Sequence, residues 1–214
     1  MSEHVTITGV HHIPRKSSRR RIDLDDGSSF SIDLGLLTRH GLRVGFELVD
    51  ATRDAILAED AKTRAKATAM DMLRTRPRSR QEMLDRLAKK GFDEEASEGA
   101  VQTLEDLGYI SDEEYADSYV VARTGRKPRG RYAIRRELRG KGIDRTTIDR
   151  ALTAISDEDA RDAAVRVAKM QLPRYSVLPR DVAQRRMYQF LLRRGFGYEH
   201  VSAAMREVMD ASVE

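Results

Sequence analysis

The spacing of apolar residues changes near residue 50. Before it, apolar and polar positions alternate, as in "VTITGV", "RRRIDLDD" and "SSFSIDL". Alternation places one face of a strand inward. The turn signal "DDGSS" separates Leu24 from Phe30, so Ile22, Leu24, Phe30 and Ile32 are expected to face one another in a hairpin. Asp23, Asp25 and Asp26 beside Gly27 do not have the spacing of a calcium loop, which needs Gly sixth and Glu twelfth. "LGLLTRHGL" reads as a short helix stopped by Gly41, and residues 8–21 ("TGVHHIPRKSSRRR") read as a polar linker.

From about Thr52 the period is helical, and the pattern repeats. "MLDRLAKKGF" (83–92), "IRRELRGKGI" (134–143) and "MYQFLLRRGF" (187–196) align at offsets of 51 and 53 residues. Met83, Ile134 and Met187 correspond, as do Leu87, Leu138 and Leu191, then Gly91, Gly142 and Gly195, then Phe92, Ile143 and Phe196. The register continues into the next element, through Val101, Leu152 and Met205 and through Leu104, Ile155 and Val208. Each unit has a helix ended by a glycine that takes the left-handed conformation without steric cost. An apolar residue follows, and then a polar helix opener such as Asp93 or Asp144. A further helix precedes each, over about 59–73, 112–124 and 157–171, with breaks at Pro77, Pro128 and Pro173. Short helices must bury a stripe against neighbours, and a unit of about fifty residues can do so.

The pattern therefore predicts a mainly α chain: three tandem three-helix repeats forming an elongated curved rod, preceded by a small N-terminal β-hairpin region. The expected divisions are 1–50 for the hairpin extension and 51–108, 109–156 and 157–214 for the repeats.

Charge adds a second layer. The chain has 214 residues, 35% of them charged, and a net charge of +4. That excess is modest, but it is sorted. Residues 91–120 hold ten Asp or Glu and no Lys or Arg, whereas 123–150 hold eleven Lys or Arg opposed by Glu137, Asp144 and Asp149. On a helix over 130–141, Ile134 and Leu138 define the buried side, and Arg131, Arg135, Arg136 and Arg139 fan over the adjoining arc with Tyr132 among them. Arg126, Lys127 and Arg129 in the preceding loop, and Lys141 after the helix, extend the face. Arg80, Arg86, Lys89 and Lys90 take the same region in the first repeat; Gln184, Arg185, Arg186, Arg193 and Arg194 do so in the third. Such a surface suits phosphates or an acidic protein groove. Tyr132 would either stack on a base or pack half-buried; Tyr115 and Tyr119, four apart, are expected in the core.

Catalytic chemistry is not evident. There is no Cys, and the five His lie at the ends or in the hairpin region. "GRKPRG" (125–130) lacks the Gly-Lys-Ser/Thr ending of a phosphate-binding loop, and paired carboxylates such as Asp112-Glu113-Glu114 sit at helix starts, where the helix dipole accounts for them. No enzyme activity, cofactor or metal is expected. No apolar run is long enough for a membrane helix and no apolar signal core is visible, so the expected location is the cytoplasm.

The segment "GYISDEEYADSYVVARTGRKPRGRYAIRRELRGKGI" (108–143) resembles the signature of the RecX family, bacterial regulators of the recombinase RecA. The matching positions are Gly108-Tyr109, Asp112, Tyr115-Ala116, Tyr119-Val120, Arg126 to Arg131, Ile134, Glu137-Leu138 and Lys141-Gly142-Ile143. Residues 79–95 and 186–201 are similar to the family's first and third repeats, and 36–48 to an extension of its longer members. The resemblance implies a non-enzymatic monomer that binds RecA and RecA–DNA filaments in the filament groove. It implies inhibition of filament extension, ATP hydrolysis, strand exchange and the co-protease activity behind the DNA-damage response. Direct binding to single- or double-stranded DNA is also implied. The alternative is a sequence-nonspecific DNA-binding helical-repeat protein acting without RecA.

Overall fold

The alternating N-terminal residues build a sheet rather than a lone hairpin. In the computed structural model, which describes residues 4–175 and 177–210, strands β1 (His4–Ile13), β2 (Lys16–Leu24), β3 (Ser29–Asp33) and β4 (Glu47–Val49) pair antiparallel in the order β3-β2-β1-β4. Ile22 lies opposite Phe30 across the predicted hairpin, with Gly27 at φ 81° in its turn. Ile22, Leu24 and Ile32 are buried and Phe30 packs half-buried against them. Residues 8–21 are not a linker, however. They form the facing arms of a second hairpin, β1–β2, that turns at Pro14-Arg15 with Arg15 at φ 63°. This part of the two strands is hidden in the sequence because His11, His12 and Arg21 face solvent, so no buried face imposes an apolar alternation around them.

Helix α1 (Leu34–Arg39) stops before Gly41 at φ 62°, as predicted. Helix α2 (Asp50–Leu73) begins nine residues earlier than the expected 59, directly after β4. Its first turns are tied down by tertiary contacts that the helical period does not reveal. Ile56 joins the apolar core of the sheet. Asp60, 3% exposed, accepts hydrogen bonds from Arg19 at 2.8 and 3.1 Å and from the Asp33 N–H at 2.9 Å. A buried carboxylate is tolerated only when paired and hydrogen-bonded in this way.

The chain forms two compact units. One holds the sheet with α1 and α2 and takes in Leu84–Tyr109; the other holds Pro77–Met83 and the described residues from Ile110 onward. The helices that follow α2 are α3 (Arg80–Lys89), α4 (Glu94–Asp106), α5 (Asp112–Thr124), α6 (Arg131–Arg139), α7 (Arg145–Leu152), α8 (Asp157–Tyr175), α9 (Arg180–Arg193) and α10 (Tyr198–Met205), with a π turn at Arg206–Asp210. In the first unit α2 packs on α4. In the second, α5, α6 and α7 pack together, as do α8, α9 and α10.

The repeat positions form the cores. Met83, Ile134, Met187, Leu87, Leu138 and Leu191 are each 0% exposed. Gly91, Gly142 and Gly195 lie at φ 86°, 80° and 84°, and the residue after each donates its N–H to the carbonyl of Leu87, Leu138 or Leu191. This bond pattern satisfies carbonyls that the helix end leaves open. Asp93 and Asp144 cap the next helices, as expected. The alignment holds less well at Met205, which is half-buried while Val201 and Ala204 fill the core. Nor does Pro173 break its helix. It lies in the last turn of α8, where little of the hydrogen-bond ladder remains to disrupt, and Tyr175 just beyond it is buried in the core. Among the described residues, no helix is long and apolar enough to cross a membrane.

Within the second unit, the glycine turn of one repeat packs closely against the helix start of the repeat before it. Ser79, at the start of α3, donates its hydroxyl to the Lys141 carbonyl at 2.7 Å, and a Cβ on Gly142 would stand 2.3 Å from the Cβ of Gln81. One repeat later the contact recurs. Gly130 donates its N–H to the Arg194 carbonyl at 3.0 Å and Tyr132 donates to the Gly195 carbonyl at 3.1 Å. A Cβ on Gly195 would stand 2.2 Å from the Ala133 nitrogen. Ser79 and Gly130 are equivalent in the repeat, as are Lys141 and Arg194. Each turn thus seats against the helix start of the repeat before it. Gly195→Ala must both adopt positive φ, at about 1–2 kcal/mol, and push backbone apart, at about 1–3 kcal/mol more. Gly91→Ala meets only the first cost, because nothing lies within 4 Å of its Cβ position. Denaturant unfolding should therefore show a clearly larger loss for Gly195→Ala; equal losses would contradict the seam.

Candidate functional site

The basic face predicted on α6 is divided by its neighbours into two sets. The first set is neutralised within the fold. Arg131 binds Asp157 at 2.8 Å and the Ile155 carbonyl, which ties α6 to the start of α8. Arg135 binds Asp149 at 2.6 Å, and Arg145 approaches the same carboxylate at 3.5 Å. Lys141 lies 3.8 Å from Glu82 and over the rings of Tyr115 and Tyr119. Arg129 reaches Glu137 at 3.4 Å. Arg131 and Arg135 thus connect helices before they can contact anything else.

The second set faces outward. On α6, Tyr132, Arg136 and Arg139 are spaced i, i+4 and i+7, opposite the buried Ile134 and Leu138. All three are exposed, Tyr132 by 64%, which makes it a surface ring rather than a half-buried one. Arg126 and Lys127 in the loop before α6 are also exposed. Among the described residues, the side chains of these four cations make no hydrogen bond or ion pair. The same is true of the exposed Lys89 and Lys90 in the first repeat and of Arg185, Arg186 and Arg193 in the third. Arg80 is half-buried, and its backbone N–H is capped by Asp112. Arg194 stacks on Phe190; burial and the nearby charge of Arg129 lower its pKa.

Between α6 and α10, within the second unit, lies an open groove of about 450 Å³ lined in part by Tyr132, Arg135, Tyr198 and His200. Tyr198 is 70% exposed, so the groove carries two presented rings. Tyr198 is among the aromatic residues that stand out in the sequence, but its place in a groove with Tyr132 does not follow from the repeat, because the other repeats have no aromatic residue where α10 opens. Among the described residues, no group of three or more His, Asp or Glu is arranged to hold a metal ion.

Glu137 organises the loop that leads into α6. It accepts hydrogen bonds from the Tyr119 hydroxyl at 2.8 Å and Arg123 Nε at 2.9 Å, and Arg123 also donates to the Tyr119 oxygen. Tyr115 is buried in the core, as predicted, whereas Tyr119, which stacks on it, is half-buried because its hydroxyl reaches out to Glu137 and Arg123. Burial alone would raise the Glu137 pKa, but the bonds from Tyr119 and Arg123, with the charges of Arg129 and Arg123, hold it below its ordinary value. Asp149 is lowered chiefly by Arg135, and Asp144 by the hydroxyls of Thr146 and Thr147. Asp112 runs the other way, raised by burial. A carboxylate lowered on folding contributes stability that is complete above its unfolded pKa and is lost as pH falls through the folded one. The melting temperature should therefore drop as pH falls below about 4. Glu137→Gln should lower it at pH 7 and flatten part of the acid decline. Parallel melting curves for the two proteins between pH 7 and pH 3 would refute this role.

The arrangement of repeats has known counterparts. Models of the first, second and third three-helix domains of RecX match residues 65–104, 111–152 and 157–205. The regulatory protein RecX of Bacillus subtilis is 34% identical over 203 residues, which cover 94% of this chain and 76% of that protein. The protein of the same name from Clostridium botulinum (strain Alaska E43) is 27% identical, with 95% and 96% covered. A crystal structure of a regulatory protein RecX superposes with a TM-score of 0.74 at 28% identity, covering 96% of this chain and 99% of that one. RecX from Lactobacillus salivarius gives 0.64 at 28% identity, covering 70% and 97%. With all three domains matched in order and the likeness extending across the N-terminal sheet, the chain belongs to the RecX family of regulatory proteins.

Proposed function

We propose that the chain is a non-enzymatic regulator that binds RecA and RecA–DNA filaments, in the filament groove, and restrains filament extension. ATP hydrolysis, strand exchange and co-protease activity fall as a consequence. It acts in the cytoplasm as a monomer. The observation that carries this reading is the second set of cations. Each repeat keeps exposed Lys or Arg without a partner among the described residues, although acids are plentiful and neutralise their neighbours. Unpaired cations of this kind attract an acidic protein surface and speed its encounter. The family's regulatory name, together with the RecA partner that the sequence resemblance implies, directs the reading to that partner.

A second reading, direct nonspecific DNA binding, is favoured by the groove with Tyr132 and Tyr198 beside cations, since aromatic rings stack on bases of any sequence. RecA ATPase on single-stranded DNA, titrated with this protein at two DNA concentrations, separates the two. Binding to RecA gives inhibition well below stoichiometric ratios that persists at saturating DNA. Competition for DNA gives inhibition that disappears there and depends steeply on salt. Arg136→Glu with Arg139→Glu should leave melting nearly unchanged and weaken inhibition about tenfold, the loss of about 1.4 kcal/mol of binding. Leu138→Ala, a core truncation, should cost about 2–5 kcal/mol of stability and serves as the folding control. Full inhibition by the double variant would remove this face from the contact.

A further inference from the structure

The chain carries three turns of the Lys/Arg-Gly-apolar type, and two of them are occupied. Those around Gly142 and Gly195 each receive a helix start from the preceding repeat. The first, Lys90-Gly91-Phe92, has the same backbone. Gly91 lies at φ 86° and donates to the Ala88 carbonyl at 2.9 Å, and Phe92 donates to the Leu87 carbonyl at 3.2 Å. Nothing, however, lies within 4 Å of the Gly91 Cβ position, and the Lys89 and Lys90 ammonium groups are exposed and unpaired.

The third repeat offers no open helix start at the equivalent position. Ala183 is the third-repeat equivalent of Ser79 and Gly130. Helix α9 begins three residues before it, so the Ala183 N–H already donates to the Pro179 carbonyl at 2.8 Å, and its side chain is buried. The position that receives a turn in the other repeats is therefore closed in this one. A second copy therefore does not present the position that the other repeats use, and the site is assigned to another protein.

The Lys141 turn indicates the chemistry of that occupant, since it shares the Lys-Gly-apolar sequence. It accepts the Ser79 hydroxyl on its carbonyl, and the Glu82 carboxylate lies 3.8 Å from its ammonium group. We propose that the Lys90-Gly91-Phe92 turn is a docking site for a helix start on a partner protein, one with a hydroxyl or glycine N-cap and a carboxylate in its first turn. Resting on the function proposed above, that partner is RecA.

Gly91→Asn tests the site. Asparagine tolerates positive φ, and the open space leaves room for it within the chain, but its side chain blocks a close backbone approach from outside. Melting should move by no more than about 2 °C. Binding to RecA filaments on single-stranded DNA, followed by fluorescence anisotropy of the labelled protein, should weaken about tenfold or more. Lys90→Glu should weaken binding similarly, and Lys90→Arg should bind as the wild type does. If the wild type binds and both Gly91→Asn and Lys90→Glu bind equally well, the docking site is overturned and the RecA reading stands. If the wild type does not bind RecA, the RecA reading fails and takes this assignment with it. If only Lys90→Glu weakens binding, and it equally weakens binding to single-stranded DNA without RecA, the lysines contact phosphates and the helix-start proposal is wrong.

Discussion

The second unit depends on the close approach of a glycine turn to a helix start. A glycine turn from one repeat is pressed against the first turn of a helix in the repeat before it, and there is no space for a side-chain carbon at the contact. The left-handed conformation alone would favour glycine there. The contact adds a second and stricter requirement, most of all at Gly195, where the Ala133 backbone cannot yield as the end of a flexible side chain can. The bonds made at the seam are those that a helix start leaves available: the Ser79 hydroxyl, and the N–H groups of Gly130 and Tyr132. One device therefore ends a helix, seals a repeat and joins it to its neighbour.

Electrostatics follow from that framework. Once the repeats are joined, Arg131 and Arg135 lie across from Asp157 and Asp149, and their charge is used to connect helices. Glu137 collects Arg123 and Arg129 and so shapes the loop before α6. The cations left over lie on the outward side of the same elements, with Tyr132 between them. The sharp separation of charge along the chain thus serves two ends. Part of it provides acids for internal pairing, and the remainder is a net positive surface. Exposed pairs contribute little individually to stability, so their main effect is to decide which guanidinium groups stay free.

The N-terminal sheet illustrates where pattern reading stops. The hairpin of β2 and β3 was legible because Ile22, Leu24 and Ile32 enter a core. The far end of the β1–β2 arm was not, because His11, His12 and Arg21 face water and leave no period to detect there. The early turns of α2 were missed for a related reason. What holds them is Ile56 in the core of the sheet, secured one turn further on by Asp60, which binds Arg19 and the Asp33 N–H, 41 and 27 positions away. Pro173 was read as a break because local propensity opposes helix there, yet burial of Tyr175 carries the helix past it.

By itself the sequence determined the repeat, its period, the buried leucines and the glycine turns, since each of these is a local or periodic requirement written at fixed spacing. It also supplied the family likeness through residues 108–143. Only the tertiary structure decided which arginines are neutralised and which are presented, and which glycine turns are filled. Both outcomes depend on groups far apart in the chain that folding brings within a few ångströms. Charge pairing and backbone contact act through distance in space, and no one-dimensional pattern records that distance.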